Sequence, residues 1–148
     1  MELEKEIRSK FENDYHKVVV NILYTHGWVT TLMKARLGKY HITVQQFNIL
    51  RILRGQYPHP ATINLLKERM LDKMSDASRI VERLIQKGLV TRSINKKDRR
   101  AVDILISEKG LDILRRLDPI IKTDDVLCSN INPEEAVYLN NLLDKLRG

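Results

Sequence analysis

The chain has 148 residues, 43% of them apolar and 30% charged, enough for one domain whose core buries about 70% of the surface that the unfolded chain exposes. A net charge of +7 and a pI near 9.6 favour anionic partners. A single cysteine, Cys128, excludes an intramolecular disulfide framework and a cysteine-rich metal site, and it fits a reducing compartment. The N-terminal stretch MELEKEIRSK is charged from its second residue and no window approaches about 18 consecutive apolar residues, so a cytoplasmic protein with no membrane partner is expected.

The positive charge is unevenly placed. Residues 62–101 hold 11 Lys and Arg against 5 Asp and Glu, whereas residues 102–148 hold 6 against 9. In chain order, residues from about Glu4 to Leu37 lack proline and space Ile7, Phe11, Tyr15, Val18 and Ile22 by three and four, which predicts one long amphipathic helix, bent at Gly27. A second apolar set at Val19, Leu23 and Trp28 widens the stripe beyond what one short neighbour covers and points to burial by another chain. Thr43 and Gln46 have capping-box spacing, and Phe47, Ile49, Leu50 and Leu53 follow in an apolar helix that Gly55 and Pro58 end. Tyr57-Pro58-His59-Pro60 then predicts a surface loop.

Two short helices come next, the first over Thr62 to Met70 and the second from Ser75, a good N-cap, to Lys87, with Gly88 at the C′ position. Ala77, Ile80, Val81, Leu84 and Ile85 make the inner stripe of the second, which leaves Asp76, Ser78, Arg79, Glu82 and Arg83 outside. Leu89–Ile94 and Ala101–Ser107 read as strands of a hairpin tipped by Lys96, Lys97, Asp98, Arg99 and Arg100. Ser107 caps a helix through Leu111, Leu114 and Leu117 that Pro119 kinks or interrupts, and Asn132-Pro133-Glu134-Glu135 opens a last helix. The expected order is four helices, a strand pair and two helices.

A short helix that follows another closely and presents hydroxyls and arginines can enter a major groove. Arg79 and Arg83 can donate to guanine or phosphate, and Ser75, Asp76 and Ser78 lie near a helix N-terminus suited to phosphate; an ordinary solvated helix face would carry similar residues. Four cations in five residues at the hairpin tip repel one another unless an anion is near, and a narrow minor groove offers one. Asp98 can hold Arg100 by a bidentate pair, as it would in a plain turn salt bridge.

Residues 43–117 resemble the multiple-antibiotic-resistance regulator (MarR) family of winged helix-turn-helix proteins. The similarity is carried by Gln46 to Leu50, Met74 to Leu84, Lys87 to Arg92, and Asp98-Arg99-Arg100 leading to Ser107-Glu108-Lys109-Gly110. The strand after the wing ends Ile106-Ser107 where the family has Leu-Thr, which preserves a capping hydroxyl. The resemblance implies a mainly α fold with a small β-hairpin wing, a winged helix-turn-helix core at residues 43–107 within a single domain, and interlaced dimerisation helices at 1–40 and 108–148. It also implies a homodimer that sets two recognition helices on a pseudo-palindromic duplex, with Arg100 in the minor groove and Asp98 supporting the wing.

For the effector, the expectation is a small molecule in a crevice between the dimer helices and the winged core, with Tyr15, Trp28 and Phe47 as candidate lining; aromatic residues at such places also serve as plain core. The first helix has no cysteine, so a peroxide switch located there does not carry over. His16, His26, His41 and His59 are scattered without ligand spacing, and no metal or cofactor is expected. The absence of a phosphate loop, a nucleophile elbow or a His–carboxylate pairing argues against an enzyme. A winged-helix module that binds proteins rather than DNA is the alternative, and the basic run Lys96 to Arg100 weighs against it.

Overall fold

The computed structural model describes residues 2–8, 10–95, 102–122 and 124–148. The fold is mainly helical with one small antiparallel sheet. Its centre is α3 (Val44–Gln56), which opens with the expected capping box: the Thr43 hydroxyl accepts from the Gln46 amide at 3.1 Å, and the Gln46 side chain accepts from the Thr43 amide at 3.2 Å. Phe47, Ile49, Leu50 and Leu53 are buried along this helix. Against them pack Leu37 from α2 (Asp14–Gly38), Leu66 from α4 (Ile63–Arg69), Val81 and Leu84 from α5 (Ala77–Gln86), and Leu114 and Leu117 from α6 (Glu108–Ile121). Ile104 and Ile106 of the sheet complete the cluster.

The sheet has order β1-β3-β2, from β1 (Ala61–Thr62), β2 (Val90–Ile94) and β3 (Val102–Ile106). The long pair is the expected hairpin, with Val90 opposite Ile106 and Ile94 opposite Val102. The two-residue β1 was not expected; Ala61 and Thr62 pair with Ile104 and Asp103. A segment this short has no alternation to read, and its pairing exists only through β3.

One further expectation is corrected. The first helix is broken into α1 (Leu3–Ile7) and α2: Arg8 ends α1 in a left-handed conformation at φ 50°, and the Asn13 side chain caps α2 by accepting from the His16 amide at 2.9 Å. Leu3 is buried, the Tyr24 hydroxyl donates to Glu6 at 3.1 Å, and Lys17 pairs with Glu4 at 2.5 Å, so α1 lies back on α2. Gly27 interrupts nothing, since α2 continues to Gly38. Pro119 is likewise carried inside α6, where it falls in the last turn and removes a single hydrogen bond. Beyond lie α7 (Asp124–Leu127), which the sequence did not suggest, and α8 (Pro133–Arg147), with Asn132 and Glu135 in the expected capping box.

Ser107 caps α6 as expected, and Gly110 lies in its first turn against the sheet. A Cβ there would collide with the Leu89 carbonyl oxygen and meet Ile106 Cγ1 at 2.7 Å. Because the obstacle includes backbone, Gly110→Ala is expected to destabilise the fold by about 2 kcal/mol or more; a denaturant midpoint equal to that of the parent would contradict this close approach. Further along α6, Asp118 takes a bidentate pair from Arg54 of α3 at 2.7 and 3.0 Å, and this guanidinium holds the Asp118 carboxyl below its ordinary value. A depressed folded value means stabilisation that is complete above the unfolded pKa of about 3.9 and lost as pH falls through the folded value. Asp118→Asn is therefore expected to melt below the parent at neutral pH, with the gap narrowing below about pH 4; a gap constant with pH would exclude the pair as its cause.

Candidate nucleic-acid interface

The helix pair α4–α5 is joined by a tight turn that hydrogen bonds define closely. Asp72 accepts from the Met74 amide at 3.0 Å and the Ser75 hydroxyl at 2.6 Å, and Asn48 of α3 accepts from the Leu71 amide at 3.0 Å. The Asp72 carboxyl is held below its ordinary value, first by the Ser75 hydroxyl, then by the Met74 amide, with the Gln45 side chain adding to it. The helix begins one residue later than expected. Asp76, not Ser75, is its N-cap and accepts from the Arg79 amide at 3.1 Å, while the Ser75 hydroxyl is turned to the Asp72 carboxylate of the preceding turn. Both are good caps, and only the turn decides between them.

The face expected to point outward does so. Ala77, Val81 and Leu84 are buried, while Ser78, Arg79, Glu82 and Arg83 are exposed. Glu82 is drawn aside to Arg92 of β2 at 3.0 Å. Gly88 sits at φ 69°, and the Gly88 and Leu89 amides donate to the Ile85 and Leu84 carbonyls, which closes α5 in a Schellman motif.

Ser75, Asp76, Arg79 and Arg83 come together with Thr43 and Gln45 around a shallow depression of about 310 Å³ between the start of α3 and α5. Ser78 lies outside it. Thr43 is accounted for locally by its capping box with Gln46, and nothing local says that α5 crosses there and brings in Gln45. The turn also exposes Leu71 and Met74, at 85% and 95%, beside the start of α5. Apolar residues so placed between two short helices were a signal available in the sequence.

The expected wing residues Lys96, Lys97, Asp98, Arg99 and Arg100 lie outside the described residues. At the hairpin's base, Asn95 donates to Asp103 at 2.8 Å. The three aromatic residues proposed for an effector crevice are not brought together. Phe47 is buried in the core with the Arg51 guanidinium 5.9 Å from its ring centre, and Tyr15 is 86% exposed. Trp28 borders a cavity of about 160 Å³ with Glu6, Asn21 and Tyr24, to which neither of the others contributes. Among the described residues no group of three or more His, Cys, Asp or Glu could hold a metal ion, and no helix is long and apolar enough to cross a membrane.

Two short helices joined by a hydrogen-bonded turn, followed by a hairpin tied to a third short strand, define a winged helix-turn-helix. Residues 42–102, which span most of the winged core, match the model of the MarR family. A cysteine-to-serine mutant of E. coli MarR complexed with operator DNA is similar over 93% of this chain and 99% of that one, at 25% identity and a TM-score of 0.80. An organohalide-sensing transcriptional regulator in its 2,4-dichlorophenol-bound form is similar over 94% and 85%, at 24% identity and a TM-score of 0.80. BpsR of Bordetella bronchiseptica, whose DNA binding is regulated by 6-hydroxynicotinic acid, is similar over 89% and 99%, at 20% identity and a TM-score of 0.75. The chain thus has the fold of MarR-family transcription regulators, including one seen on DNA and one seen with a small ligand.

The turn makes its own prediction. Asp72→Ala removes the carboxylate that accepts from the Met74 amide and the Ser75 hydroxyl, and is expected to speed hydrogen exchange at the Met74 amide directly and at the Ser75 amide, which keeps its bond to the main-chain carbonyl of residue 72, by loosening the turn, while leaving α3 protected. Unchanged exchange at both amides would mean that Asp72 does not hold the turn.

Proposed function

We propose that the protein is a sequence-specific DNA-binding transcription regulator that acts as a homodimeric repressor on a pseudo-palindromic operator and is released by a small molecule. The observation that carries this reading is the outward face of α5, where Ser78, Arg79 and Arg83 stand exposed on a MarR-family helix-turn-helix. Arg79 and Arg83 donate to guanine edges or phosphates in the major groove. Ser75 and Ser78 take phosphate oxygens near the start of the helix, and Asp76 serves as its cap. Lys96, Lys97 and Arg99 act on phosphates, and Arg100, steadied by Asp98, enters the minor groove.

The dimer reading rests on apolar surface without cover. None of the residues of α8 is buried, yet Val137, Tyr138, Leu142 and Leu146 project from it, and Tyr15, Val19 and Leu23 are exposed on α2. A helix of this length is marginal in water on its own, so a second copy that covers α8 and α2 supplies what the single chain lacks. The release step has support in the 2,4-dichlorophenol-bound and 6-hydroxynicotinic-acid-regulated relatives.

Selection of the purified protein on random duplexes, with light scattering for its mass, tests the whole reading: a dimer that enriches an inverted repeat is expected. Arg79→Ala and Arg100→Ala should each weaken operator binding by roughly ten- to a hundredfold with the dimer intact. Lys96→Ala and Lys97→Ala should lower affinity for all duplexes and flatten its salt dependence. Operator affinity unchanged in both arginine variants would remove the site assignment.

A further inference from the structure

We propose that Lys87 is a positioning residue and not a phosphate contact, and that with Gln46 it fixes the orientation of α5 on the corner between α2 and α3; this rests on the DNA-binding reading above. By charge and place Lys87 looks like one more cation of the DNA face, since it is the C-cap of α5, four residues beyond Arg83. Its ammonium is turned inward. It donates to the backbone carbonyl of His41, at the bend between α2 and α3, and to Gln46 Oε1 at 3.1 Å.

Gln46 is 3% exposed, the one polar residue buried in the core among the described residues. Its Oε1 accepts from both the Thr43 amide and Lys87, which uses the two lone pairs of that oxygen. A neutral acceptor facing a cation makes a charge-assisted bond without a second buried charge. The capping box alone needs no lysine, so the second bond is an addition to the local motif.

Two more side chains hold the same end of α5. Lys109 donates to the Lys87 carbonyl at 2.9 Å, and the Ser107 hydroxyl donates to the Gly88 carbonyl at 2.8 Å. At the opposite end, Gln45 reaches Asp72 of the turn. Adjacent residues of α3, about 100° apart around its axis, thus reach the turn that precedes α5 and the residue that closes it. Through His41 the angle of α5 is set relative to α2, the helix whose apolar face we assign to the second copy.

Binding an inverted repeat needs both recognition helices at a fixed angle and spacing, whereas contact with phosphates at large does not. Loss of the clamp should therefore lower discrimination more than general affinity. The experiment compares the full chain with Lys87→Met, Gln46→Leu, Gln46→Glu and the double variant Lys87→Met with Gln46→Leu. It reads binding to the selected operator and to a scrambled duplex across a salt series, and amide exchange at Gly88 and Leu89 in the free protein.

The expected result is operator binding weakened roughly tenfold by Lys87→Met and by Gln46→Leu, with the double variant no worse than either. Scrambled-duplex binding and the salt slope should stay at parental values. Gln46→Glu, which keeps the acceptor, should bind like the parent. Equal loss on both duplexes with a shallower salt slope would make Lys87 a phosphate contact and overturn the proposal, as would unaltered operator binding. If the parent prefers no duplex, the regulator reading fails, and exchange in the free protein still decides the clamp: faster exchange in Lys87→Met and Gln46→Leu but not Gln46→Glu supports it, and no change overturns it.

Discussion

The burial of α3 is the constraint on which the other elements depend. Phe47, Ile49, Leu50 and Leu53 offer apolar surface on more than one side, and α2, α4, α5, α6 and β3 each reach the common core through it. Apolar burial is strong but has no direction of its own, so it sets which elements meet without fixing how they are turned. Direction comes from a few polar contacts at the rim: Arg54 with Asp118 toward α6, Asn48 with Leu71 toward the turn, and Gln46 with Lys87 toward the end of α5. Each joins α3 to a different neighbour.

Much of this was legible from residue order, and the reason differs from element to element. The inner stripe of α5 repeats with the helical period and is bounded by a cap and by Gly88, so its type, its faces and its end were all readable. The starts of α3 and α8 were readable because a capping box is local chemistry. The break before α2 is hidden in the sequence because the three-and-four spacing of apolar residues runs through the gap, and the Asn13 cap lies within that stripe. The start of α5 falls one residue beyond the expected one because Ser75 and Asp76 are equivalent caps by residue type, and only the folded turn directs Ser75 to Asp72 and Asp76 to the Arg79 amide.

The candidate site divides in the same way. The exposure of Ser78, Arg79 and Arg83 was readable because it follows from helix geometry. Thr43 and Gln45 were not, because their place beside α5 arises from the packing of two helices about thirty residues apart in the chain. The aromatic trio does not line one cavity within the single chain, for a related reason. Residue type suggests a pocket, but Phe47 is needed in the core, and Tyr15 and Trp28 lie 13 positions apart on α2, about 20 Å along its axis.

The short strand β1 joins two parts that are usually considered apart. Thr62 pairs with Asp103 of the hairpin and, one residue before α4, caps that helix by accepting from the Leu65 amide at 3.2 Å. At Thr62 the sheet therefore passes directly into α4, with no slack chain between them. Force applied to the hairpin is passed through β3 and Thr62 into the first turn of α4 rather than absorbed by a linker, so the winged unit moves as one lever.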